Sequence, residues 1–303
     1  MKCSKCGFEN PESFKFCCQC GAKLIYKCPN CRSTFPYYAK FCPECGIRVL
    51  VEPIGVGNAS EIVTCPTDLE FVVGSCRFKM IKVYGGTFTM EATKEQRKDA
   101  NDDERPIHKV TLSDYYIGQT EVTQALWTAV MDSNPSNFKG DNLPVENVSR
   151  KNCQTFIEKL NSLLSNELGG MRFALPTEAQ WEFAARGGNN SQGYKYAGSN
   201  NLDDVAWFWD NRGEQTHPVA QKRSNELGLY DMSGNVGEWS QDWYGRYSSN
   251  AQTNPQGPAD GEKRVRRGGG WDNSAKFCRV SKRSYFTPGY RLSFLGLRLC
   301  LIP

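Results

Sequence analysis

The sequence predicts an irregular α+β protein, with a small cysteine-rich module ahead of one larger domain. Three observations point there. Nine of the fourteen cysteines fall in the first 45 residues. Later stretches carry helix-start chemistry and alternate with short β-branched and aromatic runs. Beyond Gly187-Gly188 the chain is rich in Gly, Asn, Ser and aromatics with little periodicity. At 303 residues, 39% hydrophobic and 23% charged, it has the composition of an ordinary soluble globular protein. No apolar run approaches bilayer-spanning length, and MKCSKCGFEN has no apolar signal-peptide core. No membrane partner and a cytoplasmic location are therefore expected.

Cys3, Cys6, Cys17 and Cys20 form C-x2-C-x10-C-x2-C, and Cys28, Cys31, Cys42 and Cys45 repeat that spacing 25 residues on. Each C-x2-C loop puts two thiolates on one metal, and two loops close a tetrahedral site. In a reducing compartment such cysteines are metal ligands before they are disulfides. The pattern resembles a double zinc ribbon over residues 1–48 and implies two zinc ions. Closed four-thiolate sites leave no open coordination position, so the expected role is structural. A segment this small needs the metal for its folding energy. Residues 1–50 carry eight Lys and Arg against three Glu, leaving the rest of the chain at −1. Weak nucleic-acid contact is open to the ribbons, but docking of a protein partner is the favoured expectation.

Residues 49–75 read as a linker and a leading strand. Phe71–Val73, a Gly74-Ser75 turn and Phe78–Val83 read as strands, and Glu91–Arg105 as a charged, exposed loop. His108–Leu112 and Tyr115–Ile117 read as short strands. Thr123 can cap a helix to Met131. Ser149 can cap another, with Cys153, Phe156, Ile157, Leu160, Leu163 and Leu164 on one face. Thr177 and Gln180 form a capping box ahead of Trp181, Phe183 and Ala184, and Gly187-Gly188 ends that helix.

The last long segment, Arg264 to Leu299, alternates frames with runs that look like display positions. It opens with Gly268-Gly269-Gly270-Trp271, and the frames are Cys278-Arg279-Val280-Ser281, Arg283, Pro288, Arg291 and Gly296-Leu297-Arg298-Leu299. The display runs are Asp272-Asn273-Ser274, Ser284-Tyr285-Phe286-Thr287 and Leu292-Ser293-Phe294.

Ordered blocks across residues 76–303 resemble the formylglycine-generating enzyme (sulfatase-modifying factor) family. They include Gly85-Gly86-Thr87-Phe88, Asn134-Pro135-Ser136-Asn137-Phe138, Leu175-Pro176-Thr177-Glu178-Ala179-Gln180-Trp181-Glu182, Gly228-Leu229-Tyr230-Asp231-Met232-Ser233-Gly234-Asn235-Val236 and Arg267-Gly268-Gly269. The resemblance implies a C-type lectin-like fold. It also implies an oxidase site in which two cysteines hold copper(I), in a GGS-aromatic-x-C-x4-C frame. Matched residue by residue, the serine falls at Gly270, the aromatic at Trp271, the first cysteine at Asn273 and the second at Cys278. One thiolate cannot make a two-sulfur Cu(I) site, and an amide is a poor Cu(I) ligand. Copper is therefore not expected, and Cys278 is the sole surviving catalytic candidate, more readily read as a small buried hydrophobe. His108 and His217 are the only histidines, too few for a His-rich iron site. Where many relatives read GNVWEW, this chain has Gly237 between Val236 and Glu238. The family also binds calcium. Asn235 and Glu238 match one such site, and Asp204 with Val205 loosely match a second; a hydrogen-bonded turn without metal is the alternative.

The C-terminus also resembles the variable region of diversity-generating retroelement target proteins, which often end in this lectin-type domain. Ser284, Tyr285, Phe286, Thr287, Gly289, Tyr290, Leu292, Ser293, Phe294 and Leu295 are all reachable from the asparagine codon AAC by replacing adenines. Lys276 and Lys282 are not. The expected function is a non-catalytic protein that binds a protein or other macromolecular ligand through a face within residues 264–299. Trp271, Asp272, Asn273, Ser284, Tyr285, Phe286, Thr287, Tyr290, Leu292, Ser293 and Phe294 are its candidate contacts. A copper-dependent formylglycine-generating oxidase and a zinc-ribbon nucleic-acid binder are the alternatives.

Overall fold

The computed structural model describes residues 68–96 and 98–303, and the backbone of two short strands before them. The chain divides into two compact units, Met1–Thr67 and Asp68–Pro303. In the first, β1 (Ile25–Lys27) pairs antiparallel with β2 (Thr34–Pro36). The eight ribbon cysteines lie outside the described residues.

The second unit mixes three sheets and three helices. A five-stranded sheet has the order β3 (Leu69–Val73), β4 (Cys76–Val83), β7 (Tyr115–Gly118), β14 (Cys300–Ile302), β8 (Arg172–Ala174). Its fourth strand, β14, lies between β7 and β8, so the segment at Cys300–Ile302 is stitched between early and middle segments. A three-stranded sheet joins β10 (Gln252–Thr253), β6 (His108–Leu112) and β5 (Gly86–Met90). A four-stranded sheet has the order β12 (Arg283–Phe286), β11 (Arg264–Arg267), β9 (Gly237–Trp243), β13 (Leu295–Gly296).

The helices begin where their caps direct. Helix α1 (Gln124–Met131) starts after Thr123, whose side chain accepts from the Leu126 amide. Ser149 and Asn152 form a reciprocal capping box on α2 (Arg150–Leu163), as do Thr177 and Gln180 on α3 (Glu178–Ala185). Each box satisfies two amides that the first helical turn leaves without partners. Gly187, at φ +90, takes the left-handed conformation that closes α3.

The α2 face buries Cys153, Phe156, Ile157 and Leu160, with Phe156 stacked on Trp127 of α1 at 4.8 Å. Leu163, expected on that face, is instead 57% exposed, and Leu164 takes the buried position. Helix α3 is buried on nearly every side, including Trp181, Phe183 and the carboxylates of Glu178 and Glu182. The expectation of an exposed Glu91–Arg105 loop fails at four of its described residues, because Glu91, Ala92, Gln96 and Glu104 are fully buried. Burying a charge is costly without a partner. Glu104 has one in an arginine 175 residues later, whereas the Glu91 carboxyl oxygens have none among the described residues and burial raises that carboxyl well above its ordinary value.

Candidate binding face

Four buried arginines brace the C-terminal segment, each pinned by carboxylates from earlier in the chain. Arg267 of β11 reaches Glu182 at 2.5 Å and Glu178 at 3.3 Å, and donates to the carbonyls of Val280 and Ser281. Arg279 makes a two-pronged contact with Glu104, at 2.6 and 2.9 Å. Arg283 does the same with Glu178, at 2.7 and 3.0 Å. Arg298 meets Glu238 at 2.8 Å and also donates to the carbonyls of Gly118 and Tyr230. Planar guanidinium forks match carboxylates in this geometry. Burial alone pulls the Arg267 and Arg283 guanidiniums down, but the carboxylates around them outweigh it and hold both above their ordinary range. Burial raises Glu104, yet hydrogen bonds from Arg279 and Ser281 bring it below the usual carboxylate value. Arg291, placed among the frames by sequence, is exposed instead.

Between these anchors the display runs reach the surface. Tyr285 is 41% and Tyr290 53% exposed. The Tyr285 ring lies 4.3 Å from Tyr244 and carries Lys263 Nζ at 4.3 Å. Phe286 stacks on Tyr290 at 5.7 Å and approaches Phe294 at 6.3 Å. Thr287 is exposed and its carbonyl accepts from the Tyr290 amide, closing a turn. Trp271 is half-buried, edge-on to Phe138, and its indole N–H donates to the Ser293 carbonyl at 2.9 Å. Ser284 and Ser293 are half-buried. Phe286, Leu292 and Phe294 also lean on the main hydrophobic core, so they serve packing as well as display. The ends of the 264–299 segment, at Val265–Gly270 and Leu295–Leu299, are buried, so the exposed face narrows to residues 271–294.

Sequence reasoning missed Trp209 and Arg212. Trp209 is 52% exposed, its amide donates to the Asn273 carbonyl, and Arg212 stacks on its ring at 3.5 Å. No local pattern marks them. Only the fold brings that loop beside residue 273.

The positions matching the family's copper frame have a different content. Cys278 is fully buried, and burial pushes its thiol up to about 12, away from the thiolate a metal needs. Asn273 Oδ1 accepts from Arg266 Nη2 at 2.9 Å. Asp272 is half-buried, and burial raises its carboxyl. A serine at Gly270 would place its Cβ 3.2 Å from Arg266 Nη2 and from Phe294. A Cβ at Gly237 would lie 1.8 Å from Arg266 Nε. The Arg266 guanidinium thus fills the space beside both positions where this chain carries glycine. One buried thiol and an amide do not fit copper(I).

The Asn235 and Glu238 pair does not fit calcium either. Asn235 Oδ1 accepts from the His217 amide at 3.0 Å, and its Nδ2 donates to Glu121 at 2.8 Å. Both Glu238 oxygens are taken, by Arg298 and by the Trp181 indole at 2.6 Å. At the looser site, the Asp204 oxygens accept from Ser199 and Asn201, and Val205 is a buried apolar side chain. Among the described residues, no group of three His, Cys, Asp or Glu is placed to hold a metal. No helix among them is long and apolar enough to cross a membrane.

Comparison with known proteins agrees with this frame. The model of the sulfatase-modifying factor enzyme 1-like domain matches residues 75–301, and that of the double zinc ribbon matches residues 3–46. The chaperone protein LppX of Paenibacillus barcinonensis is 37% identical over 248 residues, covering 67% of this chain and 81% of that protein. The formylglycine-generating enzyme of Mus musculus is 28% identical, covering 73% of this chain and 74% of its own length. The solved structure of Treponema denticola variable protein 1 superposes with a TM-score of 0.71 at 34% identity, over 78% of this chain and all of that one. The fold is therefore the α+β, C-type lectin-like one that the resemblance implied, behind a double-zinc-ribbon segment whose match supports zinc binding. With its large unit matched almost from end to end, this chain belongs to the sulfatase-modifying factor enzyme 1-like domain family.

Proposed function

We propose that this protein is a non-catalytic recognition protein. It binds a protein ligand through residues 271–294 and belongs to the class diversified by a retroelement. The observation that carries this reading is the alternation of buried, carboxylate-pinned arginines with surface runs rich in aromatics. Anchors below the surface hold the frame while the exposed residues between them, such as Tyr285, Thr287 and Tyr290, vary. Exposed Trp and Tyr supply large, stiff contact area of the kind that forms binding hot spots. The likeness to a protein named for its variability supports the same reading, as does a relative named a chaperone. The eight ribbon cysteines hold two structural zinc ions in a cytoplasmic, reducing setting, and that module docks a second protein.

The oxidase alternative has a direct test. Full-length protein is incubated with Cu(I), oxygen and a Cys-x-Pro-x-Arg peptide, and the peptide is read by mass spectrometry. No aldehyde is expected. Aldehyde that forms with this protein and disappears in Cys278→Ala would overturn the non-catalytic reading.

A further inference from the structure

A cleft of about 350 Å³ opens on the binding face, walled by Arg266, Asn273, Phe277, Lys282, Ser284 and Phe286. Two of these are buried cations with poor compensation. Arg266 is 4% exposed and has no carboxylate within 4.0 Å among the described residues. It donates to the neutral Asn273 amide oxygen, and its Nε has no partner. Lys282 is 6% exposed, and its nearest acid is Asp103 at 3.7 Å, beyond hydrogen-bond reach. Asp103 also lines the cleft: its Oδ2 accepts from the Tyr244 hydroxyl at 2.9 Å, and its Oδ1, the atom nearest Lys282, has no hydrogen-bond partner among the described residues. Arg283 also lines the cleft, but Glu178 holds it. Asp272 faces Arg266 from the adjoining turn without forming an ion pair. Burial pulls both the Arg266 and Lys282 cations down, with Asp272 and Asp103 only partly offsetting it.

Arg267, Arg279, Arg283 and Arg298 each have a carboxylate. Arg150, as buried as Arg266, also lacks one among the described residues and bonds the Gln241 side chain instead, but it does not line this cleft. A buried guanidinium without an anion is unfavourable until one arrives. Its planar fork fits the two oxygens of a carboxylate, with Lys282 as a second positive charge. Phe277 and Phe286 give apolar walls for the stem of a side chain. The geometry points to a carboxylate pocket: an acidic side chain of the protein ligand enters this cleft and pairs with Arg266 and Lys282. This inference rests on the reading of residues 271–294 as a protein-binding face, and it adds a rule to that reading. Arg266 precedes the display runs, and Lys282 is outside the reach of AAC-derived variation. Both cations are therefore common to all variants, and every variant requires an acid at the matching point of its ligand.

The test uses the full-length chain, labelled for NMR, with sodium acetate titrated at ionic strength held constant by sodium chloride. Saturable shifts at the Asn273 and Ser284 amides are expected. Arg266→Met should weaken the response at least tenfold, and Lys282→Met several-fold while keeping Arg266 in place. Inorganic phosphate, run in parallel, should bind no tighter than acetate. The pocket is refuted if acetate acts no differently from chloride, or if the response survives both substitutions. Tenfold tighter phosphate would overturn the carboxylate assignment in favour of a phosphoryl ligand. The titration needs no protein partner, so its failure leaves the binding face standing, whereas an invariant C-terminal segment would remove the face without touching the titration.

Discussion

Glu104→Ala is expected to destabilise the large unit by about 3–5 kcal/mol, the usual cost of stripping one partner from a buried ion pair. Glu104 is fully buried and takes two bonds from Arg279 and one from the Ser281 hydroxyl. Arg279 is 1% exposed and pairs with no other carboxylate among the described residues. Without Glu104 its charge is left in the interior, and the segment it anchors loses its tie to the Glu91–Arg105 loop. For a unit of this size the loss corresponds to a fall in Tm of roughly 6–20 °C. All seven tryptophans lie from Trp127 onward, so thermal unfolding followed by tryptophan fluorescence reports this unit and not the ribbons. The double variant Glu104→Ala, Arg279→Met should recover much of the loss, since removing both charges removes the uncompensated one. Glu158→Ala, on the exposed side of α2, should stay within about 0.5 kcal/mol. A Glu104→Ala protein as stable as the wild type would mean that the buried pair does not anchor the face.

The second large effect is expected at Gly237. Its φ is not in the left-handed region, so the backbone tolerates any side chain; space is what forbids one. A Cβ there would sit 1.8 Å from Arg266 Nε and 2.5 Å from its guanidinium carbon. Gly237→Ala must therefore expel the guanidinium and break its bond to Asn273, at about 1–3 kcal/mol for an overfilled site. Arg266→Ala in the same chain vacates that space, so the double variant should be more stable than Gly237→Ala alone. Urea unfolding of the four proteins gives the coupling energy directly. If Gly237→Ala loses less than about 0.5 kcal/mol, the guanidinium is not confined where the account places it.

These two sites show how far the sequence reaches. The caps at Thr123, Ser149 and Thr177 were legible because the cap and its partner lie three residues apart. Strands β3, β4, β6 and β7 were legible for a similar reason, since alternation and turn residues are local signals, whereas β5 was not named. Arg279, Arg283 and Arg298 stood out as frame residues, but their carboxylates did not. Glu104 sits in a run of charges that reads as solvent-facing, and only the folded topology brings it to Arg279. Glu178 and Glu182 hid behind a capping signature that accounts for a helix start without saying what the helix buries. At the face, Asn273 and Gly270 declared the missing copper ligand and serine. What fills their neighbourhood was not legible, because Arg266 reads as one more basic residue in a strand. Leu163 misled because a helical face has edges, and its position lies on one.

The central claim, that residues 271–294 form a diversified recognition surface, is tested most directly by sequencing this gene and its flanks in many isolates that carry it. The account predicts a nearby adenine-rich template copy of the segment and a reverse transcriptase gene. It also predicts substitutions concentrated at positions such as Ser284, Tyr285, Phe286, Tyr290, Ser293 and Phe294, with Arg267, Arg279, Arg283 and Arg298 unchanged. An invariant segment with neither template nor reverse transcriptase would contradict it.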